Sequence, residues 1–520
     1  MGNSGEDLSR VPEQTDGLTD SGTGGFDKRR AKLNVSVSIL CKIVLLILSL
    51  LSKRFLILYA GDAYNGINSL FYSIISFLAV ADLGIGSAIV YCMYDPIVKN
   101  ETHKVRQLYT LFKRIYLVIG VVVLVAGGAL IPLLPLLANG YEADSTLYIS
   151  YILSLIAVVI TYFYSAKMSL INAYKNNYIS TAITSSGLVI QNVLQIVLLF
   201  LTRNFILYCV CKIIGSTFQI VVFSLYHKHR EITVASEKPD PETKIVVTKN
   251  VKAMFMHKIG DVIFGTVDSL VISSIIGVVV LGYYSNYLLL LTSMNEVLKL
   301  FIIPLTSVIG HMGVTASPSE KNGYFRFFYG VSFILGAVFY LGYFSICNDF
   351  VSICFGRELA IDSKIIVVMT VTYFIQFMRQ SASVFKDSFG LFYKDRWLAI
   401  IASLINVGLS VLFALRWGIV GVLVATIVID LLLYHVVEPA ILYRYGFEKK
   451  PYPYFLMNYF LIALFAGEVM LFNLLRIPVE NVYLHFLIMG LLSIAFNILP
   501  VSMPFINKDF RRRFVHLIKR

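Results

Sequence analysis

The chain has 520 residues, of which 57% are hydrophobic and 14% charged, with a formal net charge of +13 and a mean hydropathy of +0.76. A soluble protein of this length could not keep so much apolar surface from water, which excludes a soluble enzyme or a soluble nucleic-acid-binding protein. Helices in a bilayer can hold it, because each satisfies its own backbone hydrogen bonds.

Residues 1–32 are rich in Gly, Ser, Asp and Glu and predict a disordered cytoplasmic tail. They lack the apolar core of a cleavable signal peptide. Glu6 stands where a myristoylation signal needs Ser or Thr. From there the sequence predicts fourteen membrane spans, at 33–60, 64–91, 113–138, 146–170, 178–202, 204–226, 252–276, 281–310, 324–347, 361–385, 396–415, 418–441, 454–475 and 482–503. The weakest breaks are Thr202-Arg203-Asn204, Arg416-Trp417-Gly418 and Arg476-Ile477-Pro478. The expected fold is an all-α integral membrane bundle. An N-lobe of six spans (33–226) is followed by a cytoplasmic linker (227–250). A C-lobe of six spans (251–443), two further spans (444–505) and a basic cytoplasmic tail (506–520) complete the chain.

The charge is sorted by loop. Most Lys and Arg fall in the tail, the loops that follow even-numbered spans, and the C-terminus. Arg203, Arg357, Lys364, Arg416 and Arg476 fall on the other side. This is the positive-inside bias, and it predicts cytoplasmic termini. Lys508, Arg511, Arg512, Arg513, Lys519 and Arg520 then anchor the C-terminus to membrane lipids rather than to nucleic acid. The six cysteines form no framework; Cys347 and Cys354 flank one external loop and are the one pair placed to join.

The two lobes are related. Gly61, Gly66, Gly120 and Gly140 meet Gly277, Gly282, Gly336 and Gly356 at a constant offset of 216. Four of the eight glycines from 61 to 140 thus find a glycine partner, where chance gives about half of one. Two six-helix halves of the same orientation are a parallel repeat. That architecture suits a substrate site between the halves, which rock about it. An old duplication without bearing on mechanism is the bland alternative.

Lys42, Lys53, Arg54, Lys167, Lys212, Lys258, Lys299 and Arg379 lie in or at the edges of spans. A charge at the bilayer centre costs at least about 2.5–3.5 kcal/mol, so such residues face a cavity or a partner unless they snorkel. Snorkelling suits Lys167, Lys258 and Lys299. It suits Lys42, Lys212 and Arg379 less, since each is about two turns in from a boundary. In the first span Ser38, Lys42, Ser49 and Lys53 share one helix face. Such a stripe suits an anionic ligand such as a diphosphate. The candidate substrate-binding residues are Lys42, Lys53, Arg54, Lys212 and Arg379.

The acids within spans are Asp82, Asp261, Asp268, Glu296, Asp430, Glu438 and Glu468. Asp261 and Asp268 share a face, with His257 and Lys258 one turn before. They suit a proton or cation relay and equally a buried ion pair. Asp261, Asp268 and Asp430 are the candidate ion-coupling residues. No metal-ligand spacing, nucleotide loop or nucleophile elbow occurs, so no catalytic residue, metal or cofactor is expected.

Several motifs carry a family resemblance. They are Ala81-Asp82-Leu83-Gly84-Ile85 and Cys92-Met93-Tyr94-Asp95-Pro96 in the first lobe. The second has Thr266-Val267-Asp268-Ser269-Leu270-Val271-Ile272-Ser273, Gly282-Tyr283-Tyr284-Ser285-Asn286-Tyr287, Met378-Arg379, Lys394-Asp395-Arg396 and Gly418-Ile419 with Gly421. In this order the chain resembles the Wzx-type bacterial polysaccharide flippases of the multidrug/oligosaccharidyl-lipid/polysaccharide exporter superfamily. Asp82 stands where such sequences tend to carry Glu. The resemblance implies a V of two six-helix bundles plus two helices around a cationic cavity. It also implies a polyprenyl-diphosphate-linked glycan as substrate, alternating access without ATP, a proton or sodium gradient as the driving force, and a polysaccharide polymerase machinery as partner. The alternatives are export of a peptidoglycan precursor or a drug by the same fold, or a membrane-embedded glycan polymerase.

Overall fold

The computed structural model describes residues 28–79, 85–229, 237, 240, 241, 247, 265–302, 305–506 and 508–518. Asp82, His257, Lys258 and Asp261 lie outside these residues. The described chain is helical, without strands. The helices are α1 (Lys28–Ala60), α2 (Asp62–Leu78), α3 (Ile85–Val98), α4 (Thr102–Ala129), α5 (Ser145–Ala173), α6 (Asn177–Thr202) and α7 (Phe205–His229). They continue with α8 (Gly265–Ile276), α9 (Val278–Ile302), α10 (Leu305–Thr315), α11 (Pro318–Cys354) and α12 (Ser363–Ser388). The last are α13 (Leu398–Gly446), α14 (Tyr452–Leu474), α15 (Val482–Phe496) and α16 (Lys508–Ile518). Ten described helices are long and apolar enough to cross a bilayer. The chain is a multi-pass membrane protein.

The three weakest breaks in the hydropathy are real turns. Arg203 ends α6 in the left-handed region, at φ 54°. Its guanidinium lies 5.9 Å from the Tyr59 ring centre. α14 stops at Leu474, and α15 begins at Val482 under an Asn481 cap. Within α13 the chain doubles back at Gly418, which has φ 59° and ψ −138°. The reversal brings Gly421 so close that a Cβ there would lie 2.1 Å from the Phe413 carbonyl oxygen. Elsewhere the helices outrun the predicted spans: α4 starts at Thr102 rather than 113, and α11 runs from Pro318 to Cys354 rather than 324–347. Hydropathy marks only the apolar stretch, whereas polar turns extend the helix until a cap stops it. At α11 the stop is a capping box, in which Ser317 and Glu320 satisfy each other's backbone N–H groups.

α1 packs on α6, α4 and α7 on α5, and α6 on α7. Further along, α11 packs on α12 and α15, and α12 on α13 and α14, so α14 and α15 join the second half of the chain. α2 and α9 bind the halves together. Glycines of the internal repeat sit at that junction. Gly61 and Gly277, at φ 107° and 136°, each turn the chain just before α2 and α9. Gly66 and Gly282 face each other: a Cβ on Gly66 would lie 1.9 Å from the Val278 carbonyl oxygen, and one on Gly282 3.0 Å from the Gly66 nitrogen. Only glycine permits this approach of two backbones.

Candidate functional site

The halves touch chiefly at the glycine end. Asn65 donates to the Gly282 carbonyl at 3.0 Å and to Asn286 Oδ1 at 3.2 Å. Val278 N donates to the Asn139 carbonyl at 2.9 Å, and Ser273 Oγ to the Leu137 carbonyl at 2.5 Å. Tyr283 Oη donates to Asp62 Oδ2 at 3.3 Å. Arg54 donates to the carbonyls of Ile353 and Cys354 at the end of α11. Every one of these bonds joins a residue of 54–139 to one of 273–354.

From that end α1 runs antiparallel to α9. Lys53 Nζ donates to Ser285 Oγ at 2.8 Å. Eleven residues, or three turns, further on, Lys42 Nζ pairs with Glu296 Oε2 at 2.9 Å. Glu296 also takes Lys299 at 2.8 Å. Ser285 is 8% exposed, whereas the side chains of Lys42 and Glu296 are each 47% exposed. The space between α1 and α9 is therefore closed toward Lys53 and open toward Lys42. Two of the four polar residues of the α1 stripe thus reach across to α9.

The candidate cations differ in how they are neutralised. Among the described residues Lys53, Arg54 and Lys212 have no carboxylate within 4.0 Å. Lys212 of α7 is held by Asn68 Oδ1 at 2.7 Å and Ser154 Oγ at 3.1 Å. Its ammonium lies 5.8 Å from the Tyr208 ring centre. An ammonium held only by neutral oxygens has no carboxylate to give up when an anion approaches.

Arg379 is neutralised. Its Nε and Nη2 donate to the two oxygens of Glu438 at 3.2 and 3.1 Å. Its Nη1 lies 4.0 Å from Asp430 Oδ1. The guanidinium carbon sits 3.3 Å from the centre of the Tyr434 ring. Lys386 Nζ reaches the same Glu438 at 3.4 Å and also binds Asp395 and Asp387. Two cations thus share four carboxylates. Lys42 holds a carboxylate of α9, whereas Arg379 holds Glu438 and lies beside Asp430, both of α13.

Of the candidate coupling acids, Asp430 is fully buried and belongs to the Arg379 cluster, on a wide π-type turn at 430–434. Asp268 of α8 accepts from Thr426 Oγ1 at 3.1 and 3.2 Å. Reasoning from the sequence missed Ser285, Asn68, Thr426 and Lys386 as partners. It noted Glu296 and Glu438 as acids without giving either a cation. The equal spacing of Lys42 to Lys53 and of Ser285 to Glu296 was the available signal, and it has meaning only once α1 and α9 are neighbours. Cys347 and Cys354 are both free thiols.

No protein-family model matches the sequence, nor does any curated protein. Solved structures do match over most of the chain. Lipid II flippase MurJ in an inward closed conformation superposes with a TM-score of 0.65 at 16% identity, covering 93% of this chain and all of that one. A multidrug resistance MATE family transporter of the MOP superfamily, inward-facing, gives 0.64 at 13% identity over 84% of this chain and 99% of that one. A MOP superfamily transporter from Pyrococcus furiosus, described as having a binding pocket of reverse polarity, gives 0.52 at 14% identity over 84% and 96%. The chain has the fold of the MOP-superfamily transporters.

Proposed function

We propose that this protein turns a polyprenyl-diphosphate-linked oligosaccharide from the inner to the outer leaflet of the cytoplasmic membrane, by alternating access of two lobes and without ATP. The observation that carries the reading is the cleft between α1 and α9. It is closed at the glycine end, open toward Lys42 and Glu296, and holds Lys53 without a carboxylate partner. With both termini cytoplasmic, as the loop charges require, the open end faces the cytoplasm. A diphosphate enters there, displaces Glu296 from Lys42 and moves toward Lys53, while its lipid tail stays in the bilayer. Arg54 and Lys212 add positive potential along the way. Opening of the glycine end releases it outward.

The second reading is flipping of a peptidoglycan precursor lipid, favoured by the likeness to lipid II flippase MurJ. Both substrates are lipid-linked diphosphates, so the same cations serve either. An ion gradient enters through Asp268, half-buried beside Thr426, and Asp430, buried near Arg379, so that their protonation or cation binding is coupled to the packing of α8 and α13. Asp261, seven residues before Asp268 in the sequence, is assigned the same role.

The test is depletion of the protein with analysis of lipid-linked glycans by mass spectrometry. Accumulation of a polyprenyl-diphosphate repeat unit facing the cytoplasm supports the first reading. Accumulation of the peptidoglycan precursor supports the second. Unchanged levels of both would defeat the two together.

A further inference from the structure

Outside the lobe cleft lies a cavity of about 690 Å³, lined by the first turns of α11, the start of α14, and Met503, Pro504, Ile506, Asp509, Phe510 and Arg513. None of its walls belongs to α1, α2, α7 or α9. Arg326, Lys449 and Arg513 line it, with a single acid, Asp509. None of the three cations has a carboxylate within 4.0 Å among the described residues. The rest of the lining is largely apolar and includes Met457, Leu461 and Met503, with Leu461 buried. Asn322 also lines it, with its Oδ1 turned into the protein.

The cavity results from the way α16 is seated. A Cβ on Gly330 would lie 2.7 Å from the Phe510 ring, and one on Gly323 would lie 2.8 Å from Arg513 Nη2. These two glycines, seven residues apart on one face of α11, let α16 lie close. Phe510 is buried and clusters with Phe505 and Phe514 at ring distances of 5.1 and 5.9 Å. Arg513 is held 4.5 Å over the Tyr324 ring. The aromatic side of α16 thus fixes its depth at the ends of two membrane helices, and its arginine points into the space beside them.

We propose that this cavity binds an anionic glycerophospholipid of the surrounding leaflet. Its phosphate is held by Arg326, Lys449 and Arg513, and the start of an acyl chain lies against Met457 and Leu461. A cationic mouth over an apolar floor matches an amphiphile and offers little to a soluble anion. The proposal is independent of the transported substrate, since no residue of the cleft takes part.

The experiment uses the purified full chain in neutral detergent and follows its thermal midpoint with added phosphatidylglycerol, phosphatidylcholine or soluble glycerophosphate. A ligand that binds the folded state alone raises the midpoint. Phosphatidylglycerol should raise it by several degrees, and the other two should not. The R326Q/R513Q variant should lose most of that rise. Leu461→Trp, which fills the floor and keeps every charge, should lose it as well, with native mass spectrometry showing about tenfold less lipid retained. Equal stabilisation by phosphatidylcholine, or by glycerophosphate alone, would overturn the proposal. So would a full response in Leu461→Trp.

Discussion

Lys42 and Glu296, 254 residues apart in sequence, form a 2.9 Å ion pair across the two halves of the molecule. The same number of residues separates Lys42 from Lys53 as separates Ser285 from Glu296, so two bridges three turns apart join antiparallel helices. The pair is half exposed, and an exposed pair is worth about 0–1 kcal/mol. It can therefore break during a transport cycle at little cost.

Lys42→Glu should abolish transport while leaving the thermal midpoint within a degree or two of wild type. Combining Lys42→Glu with Glu296→Lys should restore the closed pair and, if the diphosphate needs only a cation at this level, a substantial part of the activity. Export measured in cells and unfolding measured on the purified protein check the two halves. A double variant no better than the single one would remove the pair from the cycle.

Among the described residues the hydrogen-bond partner of Lys53 is Ser285. A charge-assisted hydrogen bond is worth roughly 1.5–3 kcal/mol, so Lys53→Ala should weaken binding of a lipid diphosphate by about ten- to a hundredfold. Lys53→Arg should retain part of the affinity. Titration of the purified protein with a short-chain lipid diphosphate measures both, and an unchanged affinity in Lys53→Ala would remove this residue from the site.

Arg379 behaves differently because it is buried. Arg379→Ala leaves Glu438 without its bidentate partner and Asp430 without its nearby cation. Breaking a buried pair by removing one partner costs about 3–5 kcal/mol, so this variant should be strongly destabilised and poorly expressed. Arg379→Ala with Glu438→Gln should recover much of the loss. A stable, fully expressed Arg379→Ala protein would mean that this cluster contributes little to folding.

Gly66→Ala should disfavour the present state, since its methyl would overlap the Val278 carbonyl. A cysteine at Ser285 should then react faster with a membrane-impermeant thiol reagent applied outside cells than in the parent. Labelling rates that do not change would show that the glycine contact is not the outer closure.

Asp268→Asn keeps the shape of the group that Thr426 binds and removes its charge. Transport in vesicles should lose its dependence on a proton or sodium gradient. Full gradient dependence in this variant would leave Asp268 a structural partner of Thr426.

Much of the fold is legible without coordinates. Hydropathy marks stretches that form ten described helices long enough to cross a bilayer, because lipid demands apolar side chains wherever a helix crosses it. The turn at Arg416-Trp417-Gly418 is visible as a polar break, and Gly418 supplies the conformation it needs. The repeat of Gly61 and Gly66 in Gly277 and Gly282 is visible as a spacing, and each pair is placed alike. These features are local, or depend on a pattern along one chain direction. Which cation stays unneutralised is a different kind of question. Lys42, Lys53 and Arg379 are all basic residues in apolar helices, and nothing near them in sequence tells them apart. The difference comes from helices brought alongside by folding: α9 offers a carboxylate to Lys42 and only a hydroxyl to Lys53, while α13 surrounds Arg379 with Glu438 and Asp430. Charge balance in a low-dielectric interior is set by neighbours within a few ångströms, and only the tertiary structure decides who they are.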